Sequence, residues 1–159
     1  MAIITLNNNS LSSVTSLPAG VDVGKVLQVV SNSSSSTIST TSTSDVEVIN
    51  TSITPSSTSS KILVIASIQI AITAAGNAYV GSKLRRGTNT GTIKSEMAIG
   101  NSSGTNKIGF IKHTVLDSPS TTSLQQYTMS FRRASGSTDS VSTDGREYNI
   151  ILMEIGAWF

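Results

Sequence analysis

The chain of 159 residues carries 11 Lys and Arg against 9 Asp and Glu, and charged residues are only 13% of it, roughly half the usual quarter. A net charge of +2 spread so thinly excludes charge-driven disorder. It also excludes a broad phosphate-binding face, which needs Lys and Arg gathered on one surface. With no cysteine, disulfides, thiolate nucleophiles and thiolate metal sites are excluded as well.

From the N-terminus, MAIITLNNNS lacks a basic n-region and its apolar run breaks at the Asn cluster, so it does not read as a secretory signal. Residues 1–23 show no sustained period, yet Ile3, Ile4, Leu6, Leu11, Val14 and Leu17 make them more apolar than a spacer. The expectation is an extended arm that orders on contact with another protein or a neighbouring subunit, with Ile3, Ile4, Leu6 and Leu11 as candidate contacts. KVLQVVS (25–31) reads as a strand. SNSSSSTISTTSTS (31–44) reads either as a flexible loop or as a polar edge strand with Ile38 tucked inward. DVEVIN (45–50) is a strand, and TPSSTSS (54–60), with Pro55 and small hydroxyls, is a turn joining two parts of one sheet.

KILVIASIQIAIT (61–73) places Ile62, Val64, Ala66, Ile68, Ile70 and Ile72 at every second position, with Leu63 and Ile65 on the opposite face. Period two with β-branched residues means a strand, apolar on both faces at its start. At eleven residues, the apolar run from 62 to 72 is too short to span a bilayer as a helix. Further strands follow at AYVGSKLRR (78–86), TIKSEMAIG (92–100) and KIGFIKHTVL (107–116), the last setting Ile108 and Phe110 against Ile111, His113 and Val115. LQQYTMSFRR (124–133) groups Tyr127, Met129 and Phe131 opposite Gln126, Thr128 and Ser130, and EYNIILMEIG (147–156) is again apolar on both faces. GTNTG, GNSSGTN, DSPSTTS, ASGSTDS and TDG punctuate the intervals. About eight short strands with such turns predict an all-β fold, an antiparallel β-sandwich or jelly roll over residues 24–159. Apolar residues on both faces of 62–66 and 150–153 exceed what one sandwich core hides, which predicts a homotrimer.

Catalytic chemistry finds little footing. The single histidine, His113, has Asp117 four residues on, but no G-x-S-x-G elbow is present and the pair lies too far apart on one strand for a triad. A packed or solvent-facing structural histidine is the expected role. One His and no Cys leave only carboxylate-rich metal sites, and DSVSTDG lacks the spacing of an EF-hand loop. Glu96, Glu147 and Glu154 fall on separate strands, against a glycosidase pair. No catalytic residue, cofactor or metal is expected, and neither is a nucleic-acid or membrane partner. The pairs Arg85-Arg86 and Arg132-Arg133 each put one side chain on either face of a strand, and they are candidate subunit contacts together with the terminal aromatics Trp158 and Phe159.

GKVLQVV, the Ser/Thr stretch and ITPSSTSSKILVIASI, followed by LRRGT, LDSPSTTSLQQYTMSFR and IILMEI, carry a resemblance over residues 24–156. In that order they resemble small all-β proteins in the virions of tailed bacteriophages. The resemblance implies a jelly roll, often trimeric, that binds and assembles without catalysis, either decorating capsids or on tail fibres. Its partners would be copies of itself and the major capsid protein or another virion protein. The place implied is the virion surface, after synthesis and folding in the bacterial host cytoplasm. The chain starts at Met1 and shows no heptads or shaft repeats, which favours an outer-capsid decoration (cement) protein stabilising the capsid lattice over a receptor-binding fibre tip.

Overall fold

The computed structural model describes residues 25–73, 78–101, 107–135 and 140–156. Among these, ten strands form: β1 (Val26–Ser34), β2 (Ser39–Thr40), β3 (Val46–Ile53), β4 (Lys61–Thr73), β5 (Ala78–Arg86), β6 (Thr92–Asn101), β7 (Lys107–Asp117), β8 (Gln125–Ser135), β9 (Ser140–Ser142) and β10 (Tyr148–Ile155). All pairings are antiparallel and make two sheets. The first runs β1-β10-β4-β7, with β9 and β2 attached to β4 beyond the end of β10; the second runs β3-β8-β5-β6. Taken over the eight long strands, this is the interleaved order of a jelly roll, in which consecutive strands repeatedly cross between two sheets.

β4 organises the first sheet. It pairs with β10 along Lys61–Ser67, with β9 along Ala71–Thr73 and with β7 along Ile62–Ile72. Its even-numbered residues, Ile62 to Ile72, are buried as the period-two pattern demands. They share one core with Val80, Leu84, Tyr127, Met129, Phe131, Ile49 and Ile53 of the second sheet. Each such side chain contributes about 1.5–3 kcal/mol on burial.

Two strands beyond the expected eight, β2 and β9, come from the hydroxyl-rich region and its partner. Residues 31–44 are divided: β1 continues through Ser34, opposite Tyr148, and Ser39–Thr40 pair with Ser142–Val141. Backbone pairing needs no apolar side chain, so serines extend a strand whose pattern has ended. Ile38 packs against the core and is pinned to the strand end at Thr143. Its N–H donates to Thr143 Oγ1 at 3.0 Å, and its carbonyl accepts from the Thr143 N–H at 3.0 Å.

The TPSSTSS segment corrects its expected role. It joins β3 of the second sheet to β4 of the first and so carries the chain across the sandwich, not between parts of one sheet. The crossing is held from below by Glu154 of β10. Its Oε1 accepts from the Ser56 amide at 2.7 Å and the Ser56 hydroxyl at 2.6 Å, and its Oε2 accepts from Gln28 Nε2 at 2.6 Å.

Two turns show why their residues are small. Asp144 and Gly145 have φ of 53° and 63° and the Arg146 N–H donates to the Thr143 carbonyl at 3.1 Å, a tight turn with both central residues left-handed. At the β5–β6 hairpin a Cβ on Gly91 would lie 2.1 Å from the Arg86 carbonyl oxygen, a position open only to glycine.

Candidate functional site

The outer face of the first sheet is where the apolar pattern exceeds the needs of the core. Register places Val29 of β1 opposite Met153 of β10, Met153 opposite Leu63 of β4, and Leu63 opposite Leu116 of β7. These four form one row across the sheet, roughly 15 Å wide at ordinary strand spacing. Ile151 and Ile65 form a second pair beside it, and Ile155, Val26 and Leu27 continue the surface at the chain-end side. Val26, Leu27, Val29 and Leu116 are exposed, while Leu63, Ile65, Ile151 and Met153 are half-buried. The Lys25 carbonyl accepts from the Gly156 N–H at 2.9 Å, so both ends of the described sandwich leave at the edge of this patch. Alternation had marked the double-faced stretches 62–66 and 150–153. Val29 and Leu116 carried no such mark, because only the pairing register lines them up.

His113 and Asp117 are polar groups of the interior with partners in the chain. His113 is fully buried: its Nε2 lies 3.0 Å from Ser82 Oγ and its Nδ1 lies 2.9 Å from Ser95 Oγ. Ser82 spends its own proton on the Ser130 carbonyl at 2.8 Å, so Nε2 carries the imidazole proton and Nδ1 accepts from Ser95. Burial holds the ring's pKa below its ordinary value, consistent with this neutral form. A serine and histidine in contact suggest a nucleophile and base, but this serine is fully buried and already donating, and Ser95, not a carboxylate, orients the ring. The pair ties β5, β6 and β7 together. His113 is thus the packed structural histidine, partnered on both ring nitrogens.

Asp117 does not reach His113. It ends β7, buried, and accepts from the Tyr127 hydroxyl at 2.8 Å, Lys94 Nζ at 2.7 Å and Arg86 Nη1 at 3.0 Å. Burial alone would raise its pKa, but Lys94, Tyr127 and Arg86 outweigh burial and hold it below the usual carboxylate range. Asp45 follows the same logic on the outer face of the second sheet, where Arg85 and Lys83 overcome burial. Arg85 Nη2 lies 2.8 Å and Lys83 Nζ 3.3 Å from Asp45, and Arg132 Nη2 lies 3.3 Å from Glu96.

The arginine pairs therefore divide between faces, as strand geometry requires. Arg85, Arg86 and Arg132 hold carboxylates of their own chain, and Arg133 lies next to Arg132 on β8. Ile3, Ile4, Leu6, Leu11, Trp158 and Phe159 lie outside the described residues. Among the described residues, Arg85, Arg86, Arg132 and Arg133 lie on β5 and β8 of the second sheet, away from the apolar row.

These buried groups make folding acid-sensitive. Burial would raise the Glu154 pKa, yet the Ser56 and Gln28 hydrogen bonds outweigh it and hold the carboxyl at about 2, against 4.5 when unperturbed. A depressed carboxylate contributes stability above its unfolded pKa and loses it as pH falls through the folded value. Here that is on the order of 3 kcal/mol at neutral pH, lost between about 4.5 and 2. Buried His113 acts in the same direction: the unfolded ring takes a proton below 6.5 more readily than the folded one. Urea unfolding followed at stepped pH is expected to show stability declining below about 6.5 and falling steeply below 4.5. Glu154→Gln should be less stable at pH 7 and show a shallower acid loss. An identical acid profile for wild type and variant would remove Glu154 from this role.

Among the described residues no cluster of three or more His, Asp or Glu could hold a metal ion, and no helix is long and apolar enough to cross a membrane. No family model and no curated protein matches the chain. Solved structures of infectious bursal disease virus match weakly. The Gx strain structure is 10% identical with a TM-score of 0.41, covering 98% of this chain and 44% of that one. The virus's VP2 subviral particle is 10% identical with a TM-score of 0.37, covering 80% of this chain and 39% of that one. This chain spans less than half the length of either, and scores this low do not establish a common fold.

Proposed function

We propose that the chain is a non-enzymatic structural protein of a virus particle that acts by binding. It forms a homotrimer and decorates the outer capsid, where it cements the major capsid lattice. The apolar row Val29–Met153–Leu63–Leu116 carries this reading, because a lone sandwich would leave it in water. Two further copies, packed about a closed three-fold axis that this patch faces, cover it without new chemistry. The virion assignment draws support from the jelly-roll strand order, an architecture used in viral capsids and also in lectins and cupins, and from the phage-virion resemblance in the sequence. Buried Ser82 and His113, already committed to internal hydrogen bonds, support the non-enzymatic part.

Light scattering coupled to size exclusion should report about three chains per particle. A clean monomer at micromolar concentration would overturn the trimer. For placement, particles lacking the protein are the test. A decoration protein's loss should leave particles that assemble but burst earlier on heating or at low salt. Loss of a receptor-binding fibre tip should leave robust particles that fail to adsorb to cells. Normal heat resistance with lost adsorption would replace decoration by the fibre-tip reading.

A further inference from the structure

The outer face of the first sheet also holds a small concave site away from the apolar row. β10 leaves β4 at the Asn149–Ser67 pair, and β9 joins it only at Ser142–Ala71. Between those points one edge of β4 has no strand beside it. Beside this notch lies a hollow of about 270 Å³ lined by Ser67, Ile68, Gln69, Phe110, Ile111, Lys112 and Glu147. The side chains of Ile68 and Ile111, a register pair, are buried in the core, so their backbone forms the floor. Ser67 and Gln69 stand on one strand, with Phe110 and Lys112 opposite them on the other. Glu147 enters from the β9–β10 connection.

Three features set this hollow apart from ordinary surface. Phe110 is 74% exposed, the most exposed large apolar side chain among the described residues, and lines the hollow. Gln69, Lys112 and Glu147 make no side-chain hydrogen bond or ion pair among the described residues, although together they offer cationic and amide donors beside carboxylate and amide acceptors. Ser67 already donates to Asn149 Oδ1 at 3.0 Å, so its oxygen is left to accept. An exposed ring ringed by uncommitted groups of both kinds fits a ligand with an apolar face and many hydroxyls.

We infer that this hollow binds a neutral saccharide, a hexose unit stacking its C–H face on Phe110 with its hydroxyls shared among Gln69, Lys112 and Glu147. Glu147 disfavours an anionic ligand and Lys112 a cationic one. A purely apolar partner would strand both charges, whereas a polyol uses donors and acceptors alike. The inference needs neither the trimer nor the capsid placement.

The test is an NMR titration of the full chain with maltotriose, cellotriose, mannotriose and chitotriose in turn. At least one should bind at about millimolar Kd, with amide shifts confined to residues 67–69, 110–112 and 147. Phe110→Ala and Gln69→Ala, both at surface positions, should each weaken that binding by about tenfold or more while leaving the remaining spectrum unchanged. Shifts that persist in Phe110→Ala would overturn the stacking site. So would silence with all four neutral sugars, whether accompanied by binding of a sulfated trisaccharide or by Phe110 signals broadening only with protein concentration, which would make the hollow a protein contact.

Discussion

Phe131→Asp is expected to yield no folded protein. Phe131 is fully buried on the inward face of β8, opposite Val46 of β3 and Ser82 of β5, at the centre of the second sheet. Removing the ring alone costs roughly 3–5 kcal/mol through lost burial and the cavity left behind. The new carboxylate adds several more, because it is desolvated in the core, where Leu84 and Met129 form the next pair. Total stability of a domain is only about 5–15 kcal/mol, so the sum reaches most or all of it. Far-UV circular dichroism and soluble yield should both collapse, as they should for Ile68→Asp on the opposing sheet. Phe131→Leu, keeping most of the volume, should fold with a lowered midpoint. A cooperative transition for Phe131→Asp near the wild-type midpoint would show that the two sheets do not share this core.

Strand positions and inward faces were legible because period two is a local signal. Ile62 to Ile72 and Tyr127, Met129 and Phe131 announce their burial without knowledge of any partner. The burial of Thr128 and Ser130 was not legible, for the complementary reason. Both are fully buried on the opposite face, where Lys83 and Arg85 also lie buried and Thr128 Oγ1 donates to the Gly87 carbonyl at 2.7 Å. Long cationic side chains bury their stems over a sheet while their heads find carboxylates, so polarity in the sequence did not mean exposure. His113 was expected as a packed or solvent-facing structural histidine and is packed, but its hydrogen bonds were not legible. Its partners, Ser82 and Ser95, lie 31 and 18 residues away and are unremarkable in a chain so rich in serine. Glu154 anchors a turn 98 residues earlier, a link that no local pattern encodes. The apolar row was half legible: the doubled faces of β4 and β10 gave it away, and Val29 and Leu116 joined only through register.

Introducing charge on that row is expected to abolish assembly while sparing the fold. Val29→Glu and Leu116→Glu together are the substitutions of choice, because the two wild-type side chains are 56% and 55% exposed and stand at opposite ends of the row. Neither contributes to the core, so the thermal midpoint of the isolated sandwich should move little. In a closed oligomer each carboxylate would instead be pressed against apolar surface, and symmetry repeats that penalty in every copy. Desolvating an unpaired carboxylate costs about 2 kcal/mol or more apiece, so two of them should weaken association by roughly 10³-fold. Light scattering should then report a single chain at concentrations where wild type is expected to give about three. Leu124→Glu is the matched control. Leu124 is 66% exposed but sits on the connection between β7 and β8, off the row, and charging it should leave the mass unchanged. If the double variant keeps the wild-type mass, or Leu124→Glu dissociates the particle as well, the outer face of the first sheet is not where the copies meet.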